Sequence, residues 1–308
     1  MQQPLISIVL PTYNGSKYLA TSVQSCIDQT WQNWELIIIN DCSTDNTLAI
    51  AESFVARDSR IRVISNEKNL KLPMSLNRGF SEARGELFTW TSDDNYYAPQ
   101  ALETLANALL QQADAALVYA DETLIDDDGN NTGTWVMGDV NQSVTAWKGC
   151  GGCFLYKRDV QTLLKGYDPS MFMIEDYDFF LRGFVQCKYV YLHRADLYFY
   201  RFHQASLTGR YMPYVSDLQK LVIEKQLDAL EPKINQQDFA LLLRKLAVYY
   251  MTHKAHAGKF QLYMGHLRKA SMAQWLITLV YVPVQGLLNF GKQLWASFKV
   301  LLTQLWKA

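Results

Sequence analysis

The sequence predicts an α/β fold: a Rossmann-like mixed sheet, mostly parallel, followed by a C-terminal helical extension. Three observations carry this. Short apolar runs rich in β-branched residues alternate with helix-period segments up to residue 91, the pattern of βαβ units. From about Tyr214 the apolar spacing is helical to the end. Charge divides the same way: residues 1–238 carry 20 Lys and Arg against 30 Asp and Glu, whereas residues 239–308 carry nine and none.

With 308 residues, 49% hydrophobic and 19% charged, the chain can bury a core of one large domain or one domain plus an appendage, and disorder is excluded. Five Cys are too few and odd in number for a disulfide scaffold, and point to a reducing compartment. Met1-Gln2-Gln3-Pro4 runs into a strand-like segment without a basic stretch, so no secretory signal is read. The acidic front part is unsuited to nucleic acid, and none is expected as a partner.

Leu5–Leu10 is a buried strand bounded by Pro4 and Pro11, and Ser16 to Thr30 has helical spacing through Leu19, Val23 and Cys26. Trp34–Ile39 is a second buried strand, ending in the polar loop Asn40–Asp45. A helix to about Arg57, a strand at Ile61–Ser65, a helix from about Pro73 to Ala83 and a strand at Glu86–Thr91 complete the alternation. Beyond Asp94 the spacing predicts a helix at Ala98–Gln111, strands near Ala115–Ala120 and Thr132–Met137, a helix over Ile174–Val185, and strands at Tyr189–Leu192 and Leu197–Phe202. Ligands of such sheets sit beyond the carboxyl ends of the strands, so the loops after Leu10, Ile39 and Thr91 are expected to converge on one site.

The chemistry-bearing residues fall in those loops. Asp93 and Asp94 end a buried strand, where adjacent carboxylates repel and a hard divalent cation relieves them; an N-cap with a solvated turn is the plainer reading. Asp41 can accept from a nucleobase imide or a ribose hydroxyl, with Asp45 in a structural role beside it. Tyr13, in Pro11-Thr12-Tyr13-Asn14, can stack on a base. Neither G-x-G-x-x-G nor a P-loop is present. Cys150 and Cys153 form a lone C-x-x-C without a second ligand pair, and are taken as incidental.

These segments resemble the inverting family 2 glycosyltransferases of GT-A fold. PTYNGSKYL, WELIIINDCSTDNT and SDD occur in order at strand ends, and the resemblance covers about residues 5–208. Asn69 to Gly79 is similar to the family's N-x-G-L-P-x-x-L-N-x-G, with Lys71 where Gly is usual. The resemblance implies that Tyr13 and Asp41 hold the uracil of a UDP-sugar, with Pro11 and Thr12 shaping the pocket and Asn14, Asn69 and Asn77 on the donor side. Asp93 would lie against the ribose or sugar, and Asp94 would coordinate Mn²⁺ or Mg²⁺. Many relatives carry another Asp where Thr91 stands. Glu175-Asp176 resembles the family's E-D element: Asp176 would be the base that takes the acceptor proton, and Glu175 would contact the acceptor. Inversion needs one such carboxylate and no nucleophilic partner. Gly151 and Gly152 would lie near the acceptor. In Tyr200-Arg201-Phe202-His203, similar to Y-R-x-H, Arg201 or His203 would reach the diphosphate, or His203 the metal.

Between Lys269 and Lys292 lie 22 uncharged residues, and beyond them Leu, Phe and Trp recur at helical spacing among Lys292, Lys299 and Lys307. That is the composition of an interfacial membrane anchor, with a helical lid, a dimer interface or a membrane-spanning segment as the other readings. The expected organisation is a GT-A domain over 1–210 and a helical region over 211–308 whose residues 270–308 meet a membrane surface. This places the protein in the cytoplasm, peripheral on the inner face of the membrane. The expected function is metal-dependent inverting transfer from a nucleotide-sugar to a glycan or lipid-linked acceptor. The alternatives are a catalytically degenerate membrane scaffold or a nucleotidyltransferase.

Overall fold

The structure, a computed structural model, describes residues 3–203, 206–252 and 257–279. The chain divides into two compact units, Met1–Val222 and Ile223–Ala308.

The first unit is built on strands β1 (Ile6–Thr12), β2 (Trp34–Asn40), β3 (Ile61–Ser65), β4 (Leu87–Trp90), β6 (Ala115–Ala120), β9 (Phe154–Lys157) and β10 (Lys188–Leu192). They form a seven-stranded sheet in the order β10-β6-β9-β4-β1-β2-β3. β9 alone runs against its neighbours; every other pairing is parallel. The central strands β1 and β2 are buried along their whole length, as continuous apolar runs in a doubly covered parallel sheet must be. Alternation then sorts the side chains. Ile6, Ile8 and Leu10 enter one core with α1 (Leu19–Ile27), α2 (Thr47–Val55) and α4 (Ala101–Gln111). Behind the sheet, Gly79 of α3 (Lys71–Ser81) passes so close to Val9 that no Cβ fits. There an aromatic cluster joins Phe80, Tyr156 and Tyr167 to Phe179 of α6 (Glu175–Gln186). Glu35 is the charged exception inside β2. It accepts from Ser7 Oγ at 2.6 Å and pairs with Arg84 and Arg62 at 2.9 and 3.2 Å. Burial pushes its carboxyl up, but these donors outweigh it and hold the pKa below the ordinary value.

A second sheet, ordered β5-β11-β7-β8, combines β5 (Tyr96–Tyr97), β7 (Glu122–Ile125), β8 (Asn131–Trp135) and β11 (Tyr198–Arg201). The sequence pattern misses β5, β7, β9 and the helix α5 (Arg158–Leu164). Each is short, and β7 opens on an acid that looks solvated and is in fact buried.

Helix α7 (Leu207–Leu230) contains the boundary between the units. In the second unit α8 (Gln236–Thr252) packs on α9 (Ala257–Ala270), and Leu243, Ala247, Met264 and Leu267 on these helices are buried. There Glu224 accepts from the Tyr263 hydroxyl at 2.6 Å and Lys259 Nζ at 2.9 Å. Residues 272–279 are helical, and Met272, Leu276, Ile277 and Leu279 are exposed on them. Among the described residues no helix is long and apolar enough to cross a membrane. Most of the expected amphipathic tail falls in residues 280–308, outside the described residues.

Candidate active site

The loops leaving β1, β2 and β4 meet at the carboxyl edge of the large sheet. The Asp41 amide donates to the Thr12 carbonyl at 2.9 Å, Asn14 Oδ1 accepts from the Thr44 amide at 2.8 Å, and Thr12 Oγ1 donates to Asp93 Oδ2 at 2.5 Å. Asn14 has φ 55 and its side chain is a loop tie. Pro11 is buried in β1, while Tyr13 stands 51% exposed beside it, free to cover a planar ligand.

Asp41 is buried. Its Oδ1 accepts from Asn66 Nδ2 at 2.7 Å and the Leu70 amide at 2.8 Å, and its Oδ2 from the Lys71 amide at 2.9 Å. Asn69 Oδ1 shares that Lys71 amide at 3.0 Å. Lys71 has φ 67, which explains why glycine suits this place in the pattern: the first turn of α3 needs the left-handed region. Here a lysine bears that conformation, and its Nζ lies 4.8 Å from the Phe172 ring centre.

Asp93 and Asp94 lie half-buried between the two sheets. Burial, and then the charge of Asp94, push Asp93 up to about 7. His203 Nε2 stands 3.1 Å from Asp94 Oδ2. Gly15, unremarked by the sequence reading, passes so close that a Cβ would occupy the place of the Asp93 carboxylate. The Thr91 side chain is fully buried, 2.8 Å from the Tyr198 hydroxyl, so an acid in its place would face the interior of the sheets. Among the described residues no three His, Cys, Asp or Glu side chains form a metal cage. The donor set nonetheless fits a divalent cation. A carboxylate and an imidazole converge beside a second carboxylate whose pKa burial and then the Asp94 charge raise, and Mg²⁺ or Mn²⁺ would take its remaining ligands from phosphate and water.

Two residues expected on the donor side are also tied to the protein itself. Arg201 is buried, with Nε 3.0 Å from the Asp94 carbonyl and Nη1 2.6 and 2.9 Å from those of Asp126 and Asp127; its guanidinium lies 4.4 Å from the Tyr18 ring centre. These acceptors occupy it as a clamp on the Asp94 loop. Asn77 holds the Tyr167 backbone with both ends of its amide, each at 2.8 Å, and so fixes the segment leading to α6.

At the start of α6, Glu175 is buried with Oε2 lacking a hydrogen-bond partner among the described residues, while Asp176 is half-buried. Burial first, and then Asp176, push Glu175 up to about 8; burial also raises Asp176. Gly152 leads back toward Asp93. Its Cβ would lie 2.6 Å from the Tyr198 ring, and Tyr198 bonds Thr91. Gly151 and Gly152 both touch Glu122, a fully buried acid that no motif announces. Burial pushes Glu122 up to about 8, with Asp176 adding to it.

A mixed α/β sheet with paired acids at its carboxyl edge and a second, smaller sheet beside it is the architecture of the GT-A transferase fold. The chain belongs to glycosyl transferase family 2, whose model matches residues 7–173, and is a glycosyltransferase. It is 31% identical over 227 residues to the putative glycosyltransferase EpsE of Bacillus subtilis, covering 72% of this chain and 81% of that one. Against further curated relatives the match spans only a quarter to a half of their length. Among solved structures, S. aureus TarS 1–349 in complex with UDP-GlcNAc superposes with TM-score 0.61 at 16% identity, over 86% of this chain and 81% of that one. The mannosyltransferase PcManGT from Pyrobaculum calidifontis, in complex with GDP-Man and Mn²⁺, gives 0.58 at 12% identity, over 91% and 87%. At such identities the likeness is one of fold.

Proposed function

We propose that the chain is a metal-dependent, inverting glycosyltransferase that moves a sugar from a UDP-sugar to a hydroxyl of a glycan or lipid-linked acceptor. The observation that carries this is the convergence of Asp94 and His203, 3.1 Å apart, beside Asp93 and the Thr12 loop. The solved neighbours that hold UDP-GlcNAc, or GDP-Man with Mn²⁺, support it.

In this reading Tyr13 covers the nucleobase, and Asp41, pinned by three donors, receives the base or ribose. Asp94 and His203 would hold the cation, which when bound neutralises the leaving diphosphate. Asp93 lies against the ribose or sugar. Asp176, raised above the ordinary carboxyl range and half-open to solvent, takes the proton of the acceptor hydroxyl as that oxygen attacks the anomeric carbon. Inversion follows from a single displacement, with the nucleoside diphosphate leaving from the opposite face. Gly151, Gly152 and Glu175 border the acceptor.

Residues 270–308 dock the enzyme on the cytoplasmic membrane face, where a lipid-linked acceptor would be met. The exclusively basic charge of 239–308 and the exposed Met272, Leu276 and Ile277 support this.

Calorimetric titration of UDP with and without Mn²⁺, on the wild type and Asp94→Ala, tests the donor site. Metal-dependent binding that the substitution abolishes is expected. Binding of UDP that is indifferent to both metal and Asp94 would overturn it.

A further inference from the structure

Glu122 opens β7 and is fully buried. Its Oε1 accepts from the Gly152 amide, while Oε2 is buried without a hydrogen-bond partner among the described residues. An unsatisfied carboxyl oxygen inside a core is unfavourable, and an apolar side chain would fill this strand position without it. Its surroundings are shaped to it. At Gly151, φ 61, any Cβ would collide with the carboxylate, and at Gly152 it would run into the Tyr198 ring. The loop therefore reaches Glu122 only because it carries no side chains there. Asp176 stands near enough for its charge to act on Glu122. Gly149, two residues before Gly151, passes the Tyr177 ring, from which a Cβ there would lie 3.7 Å, and Tyr177 follows Asp176 in α6. One buried carboxyl thus joins the glycine loop to the surroundings of the proposed base.

We propose that Glu122 is a positioning residue for the transfer step, holding the Gly151–Gly152 loop in place as the floor of the acceptor pocket beside Asp176. This rests on the reading of Asp176 and of the loop given above. Glu122 acts as a hydrogen-bond acceptor toward the loop; it exchanges no proton with substrate.

The test uses the full chain as wild type, Glu122→Ala, Glu122→Gln and Gly151→Ala. Three quantities are measured: amide hydrogen exchange of peptides covering residues 149–153, UDP binding with Mn²⁺, and transfer from a UDP-sugar to an octyl glycoside. In Glu122→Ala the loop amides should exchange at least tenfold faster and kcat/KM for the glycoside should fall at least tenfold, with the Kd for UDP within twofold. Glu122→Gln keeps the acceptor oxygen and should return all three to within threefold of wild type. Unchanged exchange in Glu122→Ala overturns the proposal, as does a loosened loop with full transfer. A Glu122→Gln variant as slow as Glu122→Ala also overturns it, because the carboxyl proton would then be the active feature. If Glu122→Ala does not fold, Gly151→Ala pushes the loop off the same carboxyl and is read in the same way. A wild type that binds no UDP and transfers no sugar counts against the transferase reading, while the exchange data still decide whether Glu122 holds the loop.

Discussion

The Thr12 hydroxyl donates to Asp93 at 2.5 Å, joining the end of β1 to the loop after β4 across 81 residues of sequence. The bond favours the ionised form of Asp93, opposing the burial and the Asp94 charge that push it up to about 7. Thr12→Val should therefore raise the Asp93 pKa further. A negative charge on Asp93 favours a cation held by the neighbouring Asp94, so Mn²⁺-dependent UDP binding at pH 7 should weaken about tenfold, the scale of one hydrogen bond to a charged group. The deficit should shrink at pH 8.5. Titration calorimetry at the two pH values checks this.

Asp176→Asn should leave UDP binding within about twofold and lower transfer by about 10²–10⁴, the contribution of a positioned base. Because burial raises Asp176 above its ordinary 3.8, the wild-type rate should climb with pH through an apparent pKa above that value. A pH–rate profile of kcat/KM reads both.

Glu122 and Glu175 are each pushed up to about 8 from an ordinary 4.5. Between these values the native chain binds protons that the unfolded chain has released, so stability falls as pH rises from 4.5 to 8. Glu122→Gln removes one such group. Its melting temperature should lose part of that decline and exceed the wild type's at pH 8.5 by about 2–4 °C, the shift expected of about 1 kcal/mol. Thermal unfolding from pH 5 to 9 is the measurement.

Lys71 sits at φ 67 with its ammonium over Phe172. Lys71→Ala keeps the left-handed conformation and loses the ring contact, so it should destabilise by about 0.5–1 kcal/mol. Lys71→Gly should be more stable than Lys71→Ala by about 1 kcal/mol, because glycine enters that region without a Cβ penalty. Denaturant midpoints of the three proteins decide the order.

The half of the site built on β1, β2 and β4 was the legible half. β1, β2 and β3 are continuous apolar runs closed by polar loops, and their expected positions lie within two residues of those found. Asp93, Asp94 and Asp41 stand out because an acid at the end of a buried strand needs a reason. The second sheet was hidden. In Asp-Glu-Thr-Leu-Ile-Asp-Asp-Asp only Thr-Leu-Ile stands between the acids, too little to mark a strand, yet Glu122 is a core residue while Asp126 folds a turn by accepting from the Asp128 and Asn130 amides. The β9 strand has four residues, too few for a period. Arg201 shows the other limit: only the fold reveals that this motif cation also holds three backbone carbonyls. Glu122 gave no sequence signal, and Gly15 none beyond its place in PTYNGSKYL, because their importance is a matter of what passes beside them.

The reversed strand β9 has a consequence for how the protein is made. It fills the gap between β4 and β6, so until it is in place one flank of β4 has no partner. On the ribosome β4 is finished near residue 90 and β9 near residue 157. At about 5–20 residues per second the interval lasts roughly 3–13 s. A naked, apolar strand flank is a template for pairing with other chains. The nascent chain is thus most vulnerable to aggregation while the segment between β4 and β9 is being synthesised, and slow translation there would lengthen its exposure.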